Sequence, residues 1–155
     1  MKAKKYLITI ICIITLFIVT GCGNKEVLKT EEFNKICEDN DLIITDAKDQ
    51  FEDVSYVEDA SIASSIAGWQ IEFFTFEDEE HAKDMFEKNK EDFEESKEGN
   101  IVTEKGVDMN NYSTYSLTTS TNYMYISRVE NTVIYLKVSE SNKKDAEKII
   151  KELNY

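Results

Sequence analysis

Histidine, arginine and tryptophan each occur once in this chain, as His81, Arg128 and Trp69; proline is missing, and glycine occurs five times. These scarcities exclude whole chemistries. A catalytic serine or cysteine needs a base within hydrogen-bond reach. The sole histidine stands in an acidic stretch, and no Gly-x-Ser-x-Gly motif accompanies it. Zinc and copper sites draw on several histidines or cysteines, and once Cys12 and Cys22 are accounted for below, one of each is left. Five scattered glycines build no phosphate-cradling loop. The acidic runs Glu77–Glu80 and Glu91–Glu95 do not match the ligand spacing of a calcium loop. No catalytic residue, metal ligand or cofactor is therefore expected.

One long apolar run is present. Tyr6 to Thr20 is almost purely apolar, follows Lys2, Lys4 and Lys5, and no acid precedes Glu26. Its roughly fifteen residues fall short of the ~20 that span a bilayer and suit a signal-peptide core. It ends in Val19-Thr20-Gly21-Cys22, which resembles the lipobox of bacterial lipoproteins: aliphatic, small, glycine or alanine, then cysteine. The resemblance covers about the first 22 residues. It implies that residues 1–21 are a cleaved signal peptide and that the thiol of Cys22 carries a diacylglycerol. Each buried methylene contributes about 0.8 kcal/mol, so two or more chains anchor durably. The expected location is the extracytoplasmic face of the cell membrane.

Cleavage before Cys22 removes three lysines and no acids, leaving 15 basic and 31 acidic residues and a net charge of −16. Such a surface repels nucleic acid and anionic headgroups, so no nucleic-acid partner is expected. Cys12 leaves with the signal peptide and Cys22 is lipidated, so only Cys37 is left and no disulfide can form within the domain. Stability must come from an apolar core.

Residues 22–29 read as the lipidated cysteine and a short polar tether, and residues 30–155 as a single domain. Thr30 reads as the N-cap of a first helix with Glu31 and Glu32 in its first turn. Phe33, Ile36 and Cys37 form its core stripe. Leu42–Thr45 reads as a short strand. The polar stretch from Asp46 to Asp59 shows no clear boundaries, and Ala60–Ala63 reads either as a strand or as part of a small-residue helix. Trp69–Phe76 is a strand with Trp69, Ile71 and Phe73 on one face and Phe74 and Phe76 on the other. The longest helix opens at Glu77–Glu80 and runs to about Lys97, with Ala82, Met85, Phe86 and Phe93 inward. Acid-first pairs Glu79/Lys83 and Asp84/Lys88 lie on its wet side. Gly99 to Asn111 reads as a loop. Strands Tyr112–Thr118, Asn122–Val129 and Val133–Val138 follow, then a helix from about Asn142 to Leu153.

This order predicts an α+β domain: a mainly antiparallel sheet with a C-terminal three-strand meander, covered on one face by about three helices. The strand–helix ending occurs twice, with Ala82/Met85/Phe86 echoed by Ala146/Ile149/Ile150, which suggests a duplicated unit.

Register decides which meander face is free. A two-residue turn at Glu130-Asn131 splits apolar residues across both faces. A three-residue connection, Glu130-Asn131-Thr132, instead gathers Tyr115, Leu117, Met124, Ile126, Ile134, Leu136 and Val138 on one face. A one-sided core favours the second arrangement. It leaves an outer face bearing Tyr112, Tyr123, Tyr125 and Tyr135 with Lys137 beside them. Tyrosine offers contact area at low entropy cost, so these residues form the candidate binding surface.

The expected function is that of a membrane-tethered, non-enzymatic binding domain of the cell envelope. It would be a monomer, attached through the lipid on Cys22 and recognising an envelope protein or glycan. Signal, lipobox and compact α+β domain in this order resemble the small lipoproteins of Gram-positive bacteria. A small carboxylate-dependent hydrolase and an inhibitor or immunity protein are the alternatives.

Overall fold

All three helices stand within two residues of the spans set by their apolar spacing. A computed structural model describes residues 23–97 and 101–155. The signal run, the lipobox with Cys22, and Gly99 lie outside them. Helix α1 (Thr30–Asp39) is capped at Lys29 rather than Thr30, and Glu32 reaches back to accept the Lys29 N–H at 3.2 Å. Asp41, at φ 61°, ends the helix and turns the chain into β1 (Ile43–Asp46). A 3-10 turn (Lys48–Phe51) leads to β2 (Val57–Ser64), then β3 (Gln70–Phe76) and α2 (Glu79–Glu95). Asp78 caps α2 through the His81 N–H. Strands β4 (Ile101–Asp108), β5 (Tyr112–Thr119), β6 (Asn122–Val129) and β7 (Thr132–Ser139) follow, and α3 (Lys143–Glu152) closes the chain.

The seven strands form one sheet in the order β1-β2-β3-β7-β6-β5-β4, antiparallel at every step. The α+β class, the antiparallel sheet, the meander and the three helices stand as expected. Their distribution differs: the helices cover both faces. Helix α1 packs on β1, β2 and β3 and α3 packs on β7, whereas α2 crosses β3, β7, β6 and β5. Two cores result. The first joins Phe33 and Cys37 to Ile71, Phe73, Tyr125, Leu136 and Ile150. The second joins Ala82, Phe86 and Phe93 to Phe74, Phe76, Tyr115, Met124, Ile126 and Val133. The α1 and α3 layers are tied where Asn40 donates to Ile36 O (2.9 Å) and Glu152 (2.7 Å) while accepting from Lys148 (2.9 Å).

Two-sided coverage overturns the register argument. Val129 pairs with Thr132, so Glu130-Asn131 is a two-residue turn. Ile134, Leu136 and Val138 share the Tyr123/Tyr125 side, while Met124 and Ile126 share a side with Val133 and Tyr135. Splitting apolar residues is no fault when each face has its own helices. Tertiary contacts hold the turn: Glu130 takes φ 49° and donates its N–H to Asn111 O at 2.8 Å. Asn131 accepts the Phe76 N–H at 2.9 Å and donates its side-chain amide to Phe76 O at 2.7 Å.

Two further expectations change, and one open alternative is decided. The reading of Gly99 to Asn111 as a loop gives way to β4, an edge strand hydrogen-bonded to β5. Ala60–Ala63 belongs to strand β2, not to a helix. Helices α2 and α3 land on opposite faces of the sheet. A duplication placing the antiparallel neighbours β3 and β7 across a two-fold axis would put both on one face, so the two strand–helix endings do not repeat a unit.

Candidate functional site

Helix α2 carries two neighbouring stripes. Ala82, Phe86 and Phe93 point into the second core. Beside them His81, Asp84, Met85, Lys88, Asn89 and Asp92 repeat at helical spacing and form one wall of an open groove of about 700 Å³. Phe74 and Phe76 of β3, with Val57 of β2, make its floor. Phe51, Val54 and Tyr56, from the 3-10 turn and the loop after it, make the opposite wall. The volume falls within the range of small-molecule sites, and few polar groups ring an apolar bed, as such sites require.

The aromatic bed is continuous. Phe51 meets Phe74 edge-on at 5.4 Å between ring centres, and Phe74 lies 6.3 Å from Phe76. Tyr56 lies 6.3 Å from Phe76 and stacks on His81 at 4.2 Å with 12° between planes. The floor rings are buried, whereas Tyr56 is 40% exposed. The wall is anchored where the Glu77 N–H donates to Tyr56 O at 3.0 Å and Lys48 donates its ammonium to Val57 O.

His81 is fixed from two sides. Its backbone N–H donates to Asp78 Oδ1 at 2.9 Å, and its ring Nδ1 lies 2.8 Å from the same oxygen. That backbone N–H, with help from the imidazole, holds the Asp78 carboxyl below the usual carboxylate range. Tyr56 covers the ring face. Among the described residues Glu77, Asp78 and His81 bring potential metal-ligand atoms within 4.8 Å of one another. Asp78 already serves as helix cap there, and the positive end of α2 disfavours a cation.

Catalysis by paired carboxylates finds little support in the groove. Asp84 and Asp92 stand two turns apart on α2, a rise of about 12 Å, wider than the ~5–9.5 Å between carboxyls in glycosidases. Nor does a nucleophile–base–orienter set meet here: the one hydroxyl in the groove's lining is the phenol of Tyr56, whose ring lies face to face on His81. The arrangement stacks, excludes water and offers charge at the rim. That is binding chemistry.

The residues singled out from the sequence are divided by the sheet. Tyr123 and Tyr125 are buried on the α1/α3 side, with the Lys143 ammonium 5.2 Å from the centre of the Tyr123 ring. Burial pushes the Tyr123 hydroxyl up and that of Tyr125 to about 12. Tyr112 is half-buried on the same side under Lys25. Tyr135 is on the opposite side, its ring 5.6 Å from Phe93, and Lys137 shares that side with it. Tyr135 and Lys137 line a depression of about 510 Å³ with Gln70 and Glu72, while Tyr123 and Tyr125 meet each other inside the first core, ring centres 6.4 Å apart. The tyrosine face is therefore not formed. Cys37 is fully buried, and burial pushes its thiol up to about 12.

The α2 groove escaped the sequence reading because its wall is polar and so carries no apolar period. A signal was present: Phe51, Val54 and Tyr56 are large apolar residues in an otherwise acidic stretch. No helix among the described residues is long and apolar enough to cross a membrane. In comparisons with known proteins no family model matches the chain, and neither a curated protein nor a solved structure matches it.

Proposed function

We propose that this protein is a lipoprotein of the outer face of the cell membrane, held there by lipid on Cys22, and that its domain binds a ligand in the groove along α2. The aromatic bed of Phe51, Tyr56, Phe74 and Phe76 carries the reading. Phe74 and Phe76 make a buried floor, and Tyr56 is the ring that stands open at the groove's mouth, where a ligand would meet it first. The lipobox residues Val19–Cys22 support the anchor.

The sole histidine makes the binding half of this reading testable. His81 lines the groove, so its imidazole resonances form an unambiguous reporter. The full chain is placed in phosphatidylcholine nanodiscs and titrated with p-cresol, a small neutral aromatic. Saturable His81 shifts are expected, and Asn89→Trp, which fills the trough, should abolish them without changing the fold. Shifts that are missing, or that persist undiminished in Asn89→Trp, would remove the groove from consideration. For the anchor, Cys22→Ala in a bacterial host should release the protein from the membrane fraction or leave an uncleaved precursor. Unchanged size, membrane retention and lipid labelling would remove the lipid.

A further inference from the structure

The negative charge of this chain is concentrated in the two segments that carry the groove's walls, with Asp84 and Asp92 on the lining itself. Residues 46–59, which carry one wall, and 77–95, which carry the other, hold sixteen of the thirty-one acids and only four of the lysines. In the chain left by cleavage before Cys22, these segments contribute twelve of the sixteen net negative charges while making up about a quarter of the length. The other four are spread over the remaining three quarters. A generally soluble acidic surface would spread its charge; here it frames an aromatic trough. Low-dielectric walls lined by one sign of charge focus the field into the cleft between them.

From this juxtaposition we infer that the groove takes a cationic peptide segment, laid along α2 with an aromatic or long aliphatic side chain seated on Phe74 and Phe76 and basic side chains over the acidic rims. The inference rests on the groove being the ligand site. Length agrees: from His81 to Asp92 the wall runs about 16 Å, the span of roughly five extended residues. The charge argues against the nearest competing occupant, because an anionic lipid surface would be repelled by the same rims. Within the wall Asp84 and Asp92 face the occupant together with Lys88 and the His81 ring. Lys88 is therefore the one lysine on the groove's own lining, and reversing it should help the proposed ligand.

The full chain in phosphatidylcholine nanodiscs, with empty nanodiscs as blank, is titrated against a fluorescent peptide alternating lysine with phenylalanine, read by anisotropy. Saturable binding is expected, weakening by about tenfold or more between roughly 20 and 200 mM salt as the rim field is screened. Alanine in place of phenylalanine should lose binding by a similar factor. Lys88→Glu should tighten binding severalfold, and Asp84→Lys should weaken it severalfold. The proposal is overturned if the glutamate-for-lysine peptide binds as well, or if neither wall substitution moves the affinity. It is also overturned if the lysine peptide fails to bind while p-cresol still shifts His81, an outcome that leaves the groove as a ligand site. Loss of both signals would instead overturn the groove reading itself.

Discussion

Asn111 grips the backbone of Lys25 at both of its polar groups, accepting the Lys25 N–H at Oδ1 (3.2 Å) and donating Nδ2–H to the Lys25 carbonyl (2.8 Å). The two residues are 86 apart in sequence. The Lys25 ammonium lies 5.0 Å from the centre of the Tyr112 ring, and Val27 and Leu28 pack against the first core. The segment read from sequence as a free polar tether is thus largely fixed to the fold. Only Gly23 and Asn24 separate Lys25 from Cys22. Three residue steps reach about 10 Å, so a lipid on Cys22 would hold the Asn111 end of the sheet near the bilayer.

Replacing Asn111 with alanine should therefore free the N-terminal segment while leaving the sheet intact. Asn111 is nearly buried, and losing both bonds should cost about 1–3 kcal/mol. Where opening precedes cleavage, each 1.4 kcal/mol raises proteolysis about tenfold. Trypsin cleavage at Lys25 and Lys29 should rise by roughly fivefold to a hundredfold, timed by mass spectrometry. An unchanged cleavage rate would show that Val27 and Leu28 alone hold the segment.

Tyr125 and Tyr135 should respond differently to the same change. The first is 8% exposed beneath α3; the second is half-buried beside Phe93. Tyr125→Ser should lose about 3 kcal/mol, the cost of an emptied aromatic site, and Tyr135→Ser about 1 kcal/mol. Urea unfolding of the two single variants decides it. Equal small losses would restore the three-residue connection and its outer tyrosine face.

That contrast marks where the sequence stopped being legible. Ala146, Ile149, Ile150 and Leu153 declared α3 because a surface helix has one buried stripe, and all four are buried. Strand β6 declares nothing of its orientation, since every residue from Tyr123 to Val129 is buried and no alternation survives. A one-sided core for β6 presupposes helices on one face, and the sheet carries helices on both. Strand β4 failed for the opposite reason. Its residues from Thr103 to Asp108 are mostly exposed and half of them are charged, and backbone ladder bonds to β5 hold them with little demand on residue type. The groove combines both difficulties: a polar helical stripe faces two rings scattered through a turn and loop and two more on a strand.

Cys37 should behave as an inert core residue. Its thiol is fully buried and, pushed up to about 12, stays protonated at neutral pH. Ellman's reagent at pH 8 should label it only at the rate at which the domain opens, and rapidly once urea has unfolded it. Since it is the one free cysteine among the described residues, reductant should leave the melting temperature unchanged. Fast labelling of the folded protein would place the thiol at the surface.

Alkaline pH should unfold this domain through its tyrosines. Burial holds the hydroxyls of Tyr125 and Tyr155 up at about 12, raises that of Tyr123 as well, and with the Glu104 contact lifts Tyr115 to about 12. An unfolded tyrosine ionises near 10. Between those values the unfolded chain releases protons that the folded chain keeps, so stability falls as pH rises. The contribution is complete below about pH 10 and is lost by about pH 12. For Tyr125 and Tyr155 it is on the order of 2–3 kcal/mol each, since one unit corresponds to about 1.4 kcal/mol. For Tyr155 burial outweighs the pairing of its hydroxyl with that of Thr132, which acts in the opposite direction. Absorbance at 295 nm should therefore rise together with loss of circular dichroism, in one cooperative step between pH 10 and 12. Tyr125→Phe should shift that step upward, because the remaining ring has no proton to lose. Full tyrosinate formation near pH 10 with the secondary structure intact would mean that these hydroxyls meet water, and that the α1/α3 layer does not close over β6.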